Sequence, residues 1–308
     1  VNQIGDGAFA DISDVKEFVI SSSNEKYHTS EGVVFSKDLS EIVQYPKSKN
    51  GGSFTANKNG LSGDADMVTT IHPYAFYGCE NLTSVNLTGI EAIGELAFAK
   101  AFNITNIIAE GLEDTSYGVF SGTSWLEDSA KEKSQVVLGK CLILYADVDK
   151  TIVESNDLDE SITGIAGQAF ASSDIESICI SGKIKHIGEN AFLNAVNLQN
   201  VYFDEMNSDL VADLKSPDKT IFGNNSPDLT VYLVEKDMRL FNNGGKNAFT
   251  GISIEKMKRY RALLAISNGE SRKVTTDEIA ITFNIDPGEN FGVNNVYTNG
   301  ANVDAVSG

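Results

Sequence analysis

Residues 93–114 read IGELAFAKAFNITNIIAEGLED, and this 22-residue stretch decides the fold because its opening pattern returns along the chain. The pattern, called the frame below, is an isoleucine followed four and five residues later by alanine and phenylalanine. It occurs at Ile4/Ala8/Phe9, Ile71/Ala75/Phe76, Ile93/Ala97/Phe98, Ile165/Ala169/Phe170 and Ile187/Ala191/Phe192, with a weaker copy at Thr115/Val119/Phe120. The steps from 71 to 93, from 93 to 115 and from 165 to 187 are each 22 residues. Recurrence at a fixed period of this length indicates a repeat architecture.

A second apolar pattern follows each frame. Apolar residues stand eleven, fourteen and sixteen positions after the frame isoleucine, as at Ile104, Ile107 and Ala109, and one position earlier in the copy that starts at Ile165. The last two positions are two residues apart, which is the period of a β-strand with one buried face. Each repeat is therefore predicted to hold a strand, a turn and the frame segment, with the frame Ile, Ala and Phe pointing inward. One such unit buries too little alone, so repeats must stack and align their strands in parallel along one face.

The first frame overlaps a G-x-G-x-x-A string, Gly5 to Ala10, that is also found in dinucleotide-binding loops. The other copies argue against a phosphate loop. Gly5 is matched in two copies but replaced by His72 and Ala166 in others, and the place of Gly7 is taken by Tyr74, Leu96, Gln168 and Asn190. No βαβ strand precedes Ile4. The glycines are predicted to belong to a turn of the repeat, and no cofactor is expected.

Composition limits the partners. The 308-residue chain carries 43 acidic and 24 basic residues, a net charge of -19, which repels nucleic acid and anionic lipid. No apolar run approaches the roughly 20 residues that span a bilayer. The chain starts at Val1 without a leader-like segment, so an export signal is expected to lie upstream.

The three cysteines lack a C-x-x-C spacing and are expected to be free; Cys79 fits a small interior position, whereas Cys179 is predicted to face outward.

Two gaps between frames hold β-hairpin patterns. The stretch GVVFSKDLSEIVQYP alternates over residues 33–35 and 42–45, and QVVLGKCLILY does so around Gly139 and Lys140. Both second strands end in tyrosine, Tyr45 and Tyr145. The sequence therefore predicts hairpin inserts near residues 32–46 and 135–145.

These motifs together resemble the BspA-like leucine-rich repeats of bacterial surface proteins. The 22-residue unit, the YHTSEGVVFSKDLSEIVQYP hairpin, the FSGTSWLEDS stretch before the second hairpin, and SPDLTVYLVEKDMRLFNNGGKNAFTGI as a closing unit all carry the likeness. The resemblance covers about residues 1–254. It implies a right-handed leucine-rich-repeat solenoid with a parallel sheet on one face and short turns or helical segments on the other. Residues 255–308 do not fit the repeat and are expected to form a C-terminal cap or a small β element.

The family resemblance also implies an exported, cell-surface protein that binds or adheres without catalysis. Its ligand is expected to be a protein or a glycan, host-derived in some cases, and the chain is expected to be a monomer. Strand residues that alternate with the buried ones are the candidate binding residues: Ser84, Asn86, Thr88, Asn106, Ile108, Glu110, Asn200, Tyr202 and Asp204. Their mixture of amides, hydroxyls and two apolar points suits protein or glycan contact.

Other chemistry finds little support in the sequence. Carboxylates cluster at Asp64/Asp66, Asp147/Asp149 and Asp157/Asp159/Glu160, but none completes an EF-hand loop, so no metal is expected. The three histidines share no position of the repeat, and no nucleophile or phosphate-loop motif is present. Two alternatives remain open: an enzyme with its site in an insert or the C-terminal segment, and a structural spacer that presents another domain.

Overall fold

The computed structural model describes residues 2–56, 68–241 and 246–257. Residues 1–256 form one compact unit. The expected cap or β element at 255–308 lies, from residue 258 onward, outside the described residues. No helix in the described part is both long and apolar enough to cross a membrane.

Most of the described strands of the unit fall into two kinds of sheet, and strands of the two kinds alternate along the chain. Two frame sheets contain the frame isoleucines or their equivalents. The first is β1 (Tyr27–Ser30), β2 (Val33–Ser36), β3 (Glu41–Gln44), β5 (Thr70–Ile71) and β7 (Ala92–Ile93), and the second is β9 (Gln135–Leu138), β10 (Cys141–Tyr145), β12 (Gly164–Ile165) and β14 (His186–Ile187).

Two face sheets contain the strands that follow the frames. The first face sheet is β4 (Ser53–Thr55), β6 (Ser84–Asn86) and β8 (Asn106–Ile108), and the second is β11 (Ile152–Val153), β13 (Ser177–Ile180), β16 (Asn200–Phe203), β18 (Thr230–Leu233) and β19 (Ser253–Lys256). A further short pair joins β15 (Phe192–Leu193) to β17 (Phe222–Gly223). The helices are α1 (Ser124–Glu132), α2 (Ser208–Leu214) and α3 (Glu235–Phe241).

Each repeat thus contributes to two parallel ladders rather than one. The sequence predicts a parallel sheet on one face only, with turns or helical segments opposite it. In the structure the frame isoleucines themselves form two-residue parallel strands, so that Ile71 pairs with Ile93. Stacked repeats of equal length bring equivalent backbone groups together, and the bonds continue into the turns: Phe76 N donates to Ala97 O at 2.7 Å and Phe98 N to Val119 O at 2.9 Å. The prediction of a single sheet face was therefore wrong.

The hairpins are part of the ladder and not mere interruptions of it. β2 and β3 pair antiparallel, as do β9 and β10. The second strand of each hairpin also pairs in parallel with the next frame strand, Ile42 opposite Ile71 and Leu142 opposite Ile165. The hairpin strand therefore supplies the position that a frame isoleucine fills elsewhere.

Two stacks of aromatic rings run through the core. The first joins Tyr45, Phe76, Phe98 and Phe120 with centroid distances of 4.9, 4.6 and 5.6 Å, and the second joins Tyr145, Phe170, Phe192 and Phe222 with 5.0, 5.1 and 5.4 Å. The tyrosine that ends each hairpin is thus the first ring of a stack. Burial of one such ring is worth roughly 1.5–3 kcal/mol. The rings account for the recurrence of phenylalanine in the frame.

One turn position of the frame is left-handed in every copy. The residue three after the frame isoleucine has φ between +53° and +66° in Gly7, Tyr74, Leu96, Gly118, Gln168 and Asn190. A left-handed conformation costs a residue with a Cβ about 1–2 kcal/mol, and glycine avoids that cost. Gly7 therefore shares its conformation with Tyr74, Leu96, Gln168 and Asn190 as well as with Gly118, the glycine of the weaker copy.

The first repeat copy is less buried than the others. Phe9 and Phe18 contact each other at 4.9 Å between ring centroids, but both are only half-buried. Residues 15–20 form no strand, and Phe18 N donates instead to Gly32 O in the turn between β1 and β2, at 2.9 Å. The apolar side chains of this copy are therefore covered less completely than those of the later frames.

Candidate functional site

Four of the candidate residues lie on the outward side of the first face sheet. Ser84 and Asn86 belong to β6 and are half-buried, while Asn106 and Ile108 belong to β8 and are exposed. Val85 and Ile107 alternate with them and face the core, as a half-buried strand requires. Asn106 Nδ2 donates to Ser84 Oγ at 3.0 Å, which fixes the amide against the neighbouring strand. Ile108 is 42% exposed and is the apolar point of this surface.

Thr88 and Glu110 lie beyond the ends of these strands. Both are exposed, and each is the first residue of the turn that leads to the next frame. The backbone N–H of Thr88 donates to Asn86 Oδ1 at 2.9 Å, so the Asn86 side chain also stabilises the turn. The two residues extend the first face at one edge.

The remaining three candidates lie on the second face sheet. Asn200 and Tyr202 belong to β16, and Asp204 follows that strand; all three are half-buried. Tyr202 is paired with Tyr232 on β18, and the rings stack at 4.6 Å with an interplanar angle of 15°. Burial, and then the neighbouring Tyr232, raise the pKa of Tyr202, so its hydroxyl stays protonated and able to donate.

The nine candidates therefore lie in, or just after, strands of two different sheets. Between β8 and β11 the chain forms α1 and the hairpin of β9 and β10, and no backbone pairing joins the two face sheets among the described residues. The sequence predicts one continuous ladder of strand faces because each frame that begins with isoleucine is followed by the same apolar pattern. The residues that interrupt the ladder carry no frame and could not be placed from periodicity.

Cys179 contradicts its predicted outward exposure. The side chain is 2% exposed, and its Sγ lies 3.8 Å from Asp204 Oδ1. Cys179 alternates with inward-facing residues in β13, and it is paired with Tyr202 of β16. The alternation within one strand does not show that a large side chain lies beside the cysteine on the neighbouring strand. The other two thiols are buried as well, and burial raises the pKa of Cys79 to about 12 and that of Cys141 further still.

Several outward-facing residues of the two face sheets are not among the nine candidates. Thr230 and Tyr232 continue the second face, and Ser53 and Thr55 begin the first. The alternation in DLTVYL could have located the first pair. The segment SFT in β4 follows a hairpin rather than a frame, so no repeat signal precedes it.

Loop carboxylates that the sequence offers to calcium are engaged in their own turns. Asp157 accepts a hydrogen bond from Glu154 N at 2.6 Å and pairs with Lys150 at 2.6 Å. Asp159 accepts from Ser161 N at 2.8 Å. Across the described ranges no group of three metal-ligating side chains occurs, and Asp64 and Asp66 lie outside those ranges.

Comparison with known proteins gives the family. The model of the BspA type leucine rich repeat region matches residues 64–141 and 148–226 in six copies, which together exceed half of the chain. The chain belongs to the BspA-type leucine-rich repeat proteins. The frames from Ile71 to Ile187 all lie within the matched ranges. Among curated proteins, none matches this leucine-rich repeat chain significantly.

Three solved structures are similar to this leucine-rich repeat protein. The pneumococcal vaccine antigen PcpA is 18% identical with a TM-score of 0.37, covering 82% of this chain and 53% of its own. The Treponema pallidum (T. pallidum) leucine rich repeat protein is 17% identical with a TM-score of 0.31, covering 76% of this chain and 100% of its own. A leucine rich cell surface protein from Faecalibacterium prausnitzii A2-165 is 13% identical with a TM-score of 0.26, covering 70% and 86%. The chain thus spans about half the length of the pneumococcal antigen.

Proposed function

We propose that this leucine-rich repeat protein is a non-enzymatic, exported cell-surface protein that binds a protein or glycan ligand in adhesion. The proposed contact residues are the nine candidates on the two face sheets. Membership of the BspA-type family supports a binding role. We further propose that the solenoid coils right-handedly, because crossover connections between parallel strands are right-handed in nearly all proteins.

One observation carries the proposal. The chain has a net charge of -19, yet the six outward-facing strand residues of the first face sheet carry no charge: Ser53, Thr55, Ser84, Asn86, Asn106 and Ile108. Hydroxyl and amide groups lose less solvation free energy on contact than carboxylates do. A surface of uncharged hydrogen-bonding groups around an exposed isoleucine is therefore suited to being covered by a ligand.

A binding screen against extracellular-matrix proteins and a glycan array tests the proposal. For each ligand found, the double variant Asn106→Ala/Ile108→Ser examines the first face and Tyr202→Ala the second. We expect at least a tenfold loss of affinity from one of these variants. Val196→Ser is the matched control, because Val196 is 54% exposed and lies outside both face sheets.

Either of two results contradicts the proposal. One is that every detected ligand binds the face variants as tightly as the unaltered protein. The other is that Val196→Ser weakens binding as much as the first-face variant, which indicates nonspecific adhesion to apolar surface.

A further inference from the structure

The first face sheet has an open edge at β4. This strand pairs with β6 on one side and begins the sheet. Ser84 N donates to Gly52 O at 2.9 Å and Ala56 N donates to Asn86 O at 2.9 Å. In a parallel ladder the main-chain groups of alternate residues point to opposite sides, so those of Ser53 and Thr55 point away from β6. No described residue forms a hydrogen bond with them.

A cavity lies beside this edge. It has a volume of about 230 Å³ and is lined by all of β4 together with residues of the first hairpin. Its large apolar lining residues are Val33, Phe35, Tyr45 and Phe54, which also belong to the core or pack against it. At the rim, Lys49 Nζ donates to Glu31 O. The unpaired backbone groups of β4 therefore lie beside a cavity that has large apolar residues in its lining.

The second hairpin provides an internal comparison. There α1 packs against β9, and its Trp125 and Leu126 pack on the hydrophobic core. The Trp125 ring meets Phe120, the last ring of the first stack, at 5.3 Å. At the first hairpin no described helix performs this role, and the corresponding apolar residues line the cavity instead.

We propose that the β4 edge binds an extended peptide segment of another protein as an added parallel strand. An inward-facing apolar residue of the peptide donates its N–H to Ser53 O, accepts from Thr55 N, and places its side chain in the cavity. Backbone groups spaced two residues apart select a strand over a helix, because a helix bonds its own main chain. The acidic chain favours peptides with flanking lysine or arginine.

Residues 16–21 do not take this position in the structure. They carry the strand pattern of the first repeat copy, but Phe18 N is bonded to Gly32 O at 2.9 Å. No described residue of this unit pairs with this edge. This inference concerns the edge of β4 and does not depend on the outward faces proposed above.

The probe is a fluorescent peptide, KKLTSVNLTG, which joins two added lysines to the sequence of residues 82–89 around β6. Its binding to the full 308-residue chain is followed by anisotropy. Its valine has the inward position, since Val85 is the residue that aligns with Phe54 in the β4–β6 pair. We expect saturable binding that Thr55→Pro weakens about tenfold by removing one outward N–H, a loss in the range of a single hydrogen bond. Thr55→Ala keeps that N–H and is expected to bind as the unaltered protein does.

Peptide variants test the same bonds without altering the protein. N-methylation of the valine removes the donor to Ser53 O and is expected to weaken binding about tenfold. N-methylation of the following asparagine is the control, because its N–H points away from β4. Valine→serine in the peptide tests the cavity and is also expected to weaken binding.

Three results overturn the inference: no saturable binding of the probe, equal binding of the two methylated peptides, or equal binding by folded Thr55→Pro and Thr55→Ala. If Thr55→Pro does not fold, the methylated peptides decide. Asn106→Ala/Ile108→Ser is expected to leave peptide binding unchanged, since β6 lies between β8 and β4. A failure of the face proposal is thereby distinguished from a failure at the edge.

Discussion

Replacement of Phe98 by alanine is the sharpest test of the repeat core. Phe98 is fully buried and stacks on Phe76 at 4.6 Å and on Phe120 at 5.6 Å. Loss of its buried area costs roughly 1.5–3 kcal/mol, and each lost ring pair adds about 0.5–1.5 kcal/mol. We expect a decrease of about 4 kcal/mol in the free energy of unfolding, within the range of about 3–5 kcal/mol for buried Phe→Ala changes.

Guanidinium unfolding measured by tryptophan fluorescence suits this prediction. The chain has one tryptophan, Trp125, whose ring lies 5.3 Å from Phe120, so the signal reports on the same stack. Phe102→Ala is the matched control: the same substitution in the same repeat, at a side chain that is 57% exposed. We expect that control to change the free energy of unfolding by less than about 0.5 kcal/mol.

The reasoning is refuted if Phe98→Ala and Phe102→Ala shift the unfolding midpoint equally. Equal shifts mean that Phe98 is not a core ring and that the inward assignment of the frame fails. A change in the denaturant slope calls for a second probe, because arrays of repeats can unfold in parts. Hydrogen exchange of the amides of Phe76 and Phe98, which donate to the next repeat, then locates the loss.

Two further predictions concern the turn and the charges. Gln168→Gly is expected to raise the free energy of unfolding by about 1 kcal/mol, because Gln168 has φ +66° and glycine takes this conformation without strain. The control is Gln199→Gly, at a residue outside the left-handed region, and it is expected to lower the free energy of unfolding. Thermal unfolding of both variants checks the two signs. Lys140 first and Lys185 second, each 3.0 Å from Glu113, hold the pKa of its carboxyl below the ordinary value of 4.5. The carboxylate therefore stabilises the fold above pH 4.5 and loses that contribution as the pH falls through its folded pKa. Glu113→Gln is accordingly expected to lower the free energy of unfolding, measured in urea at pH 7, by no more than about 1 kcal/mol. The variant is expected to match the unaltered protein as the pH approaches 3, and a difference that grows in acid contradicts the assignment.

Much of the fold could be predicted because each repeat shows the same spacing of apolar residues along the chain. Ile93, Phe98 and Ile107 face the core in the structure as the 22-residue period indicates, and their equivalents do so from repeat to repeat. The strands of both hairpins lie within the alternating stretches that the sequence offers. Less of the candidate site could be predicted. The period of a strand shows that Asn106 and Tyr202 point outward, but it does not show which residues of the neighbouring strands lie beside them.

By itself, the sequence determined the family, the repeat period and which side of each strand is apolar, because these depend on spacing along a single chain. The tertiary structure alone decided that the frame isoleucines form a second ladder, that Tyr45 and Tyr145 start the ring stacks, and that Cys179 is covered. It also decided that the face sheets are separate and that β4 leaves an edge beside a cavity. All of these depend on which backbone lies next to which, and residues distant in sequence become neighbours only when the repeats stack.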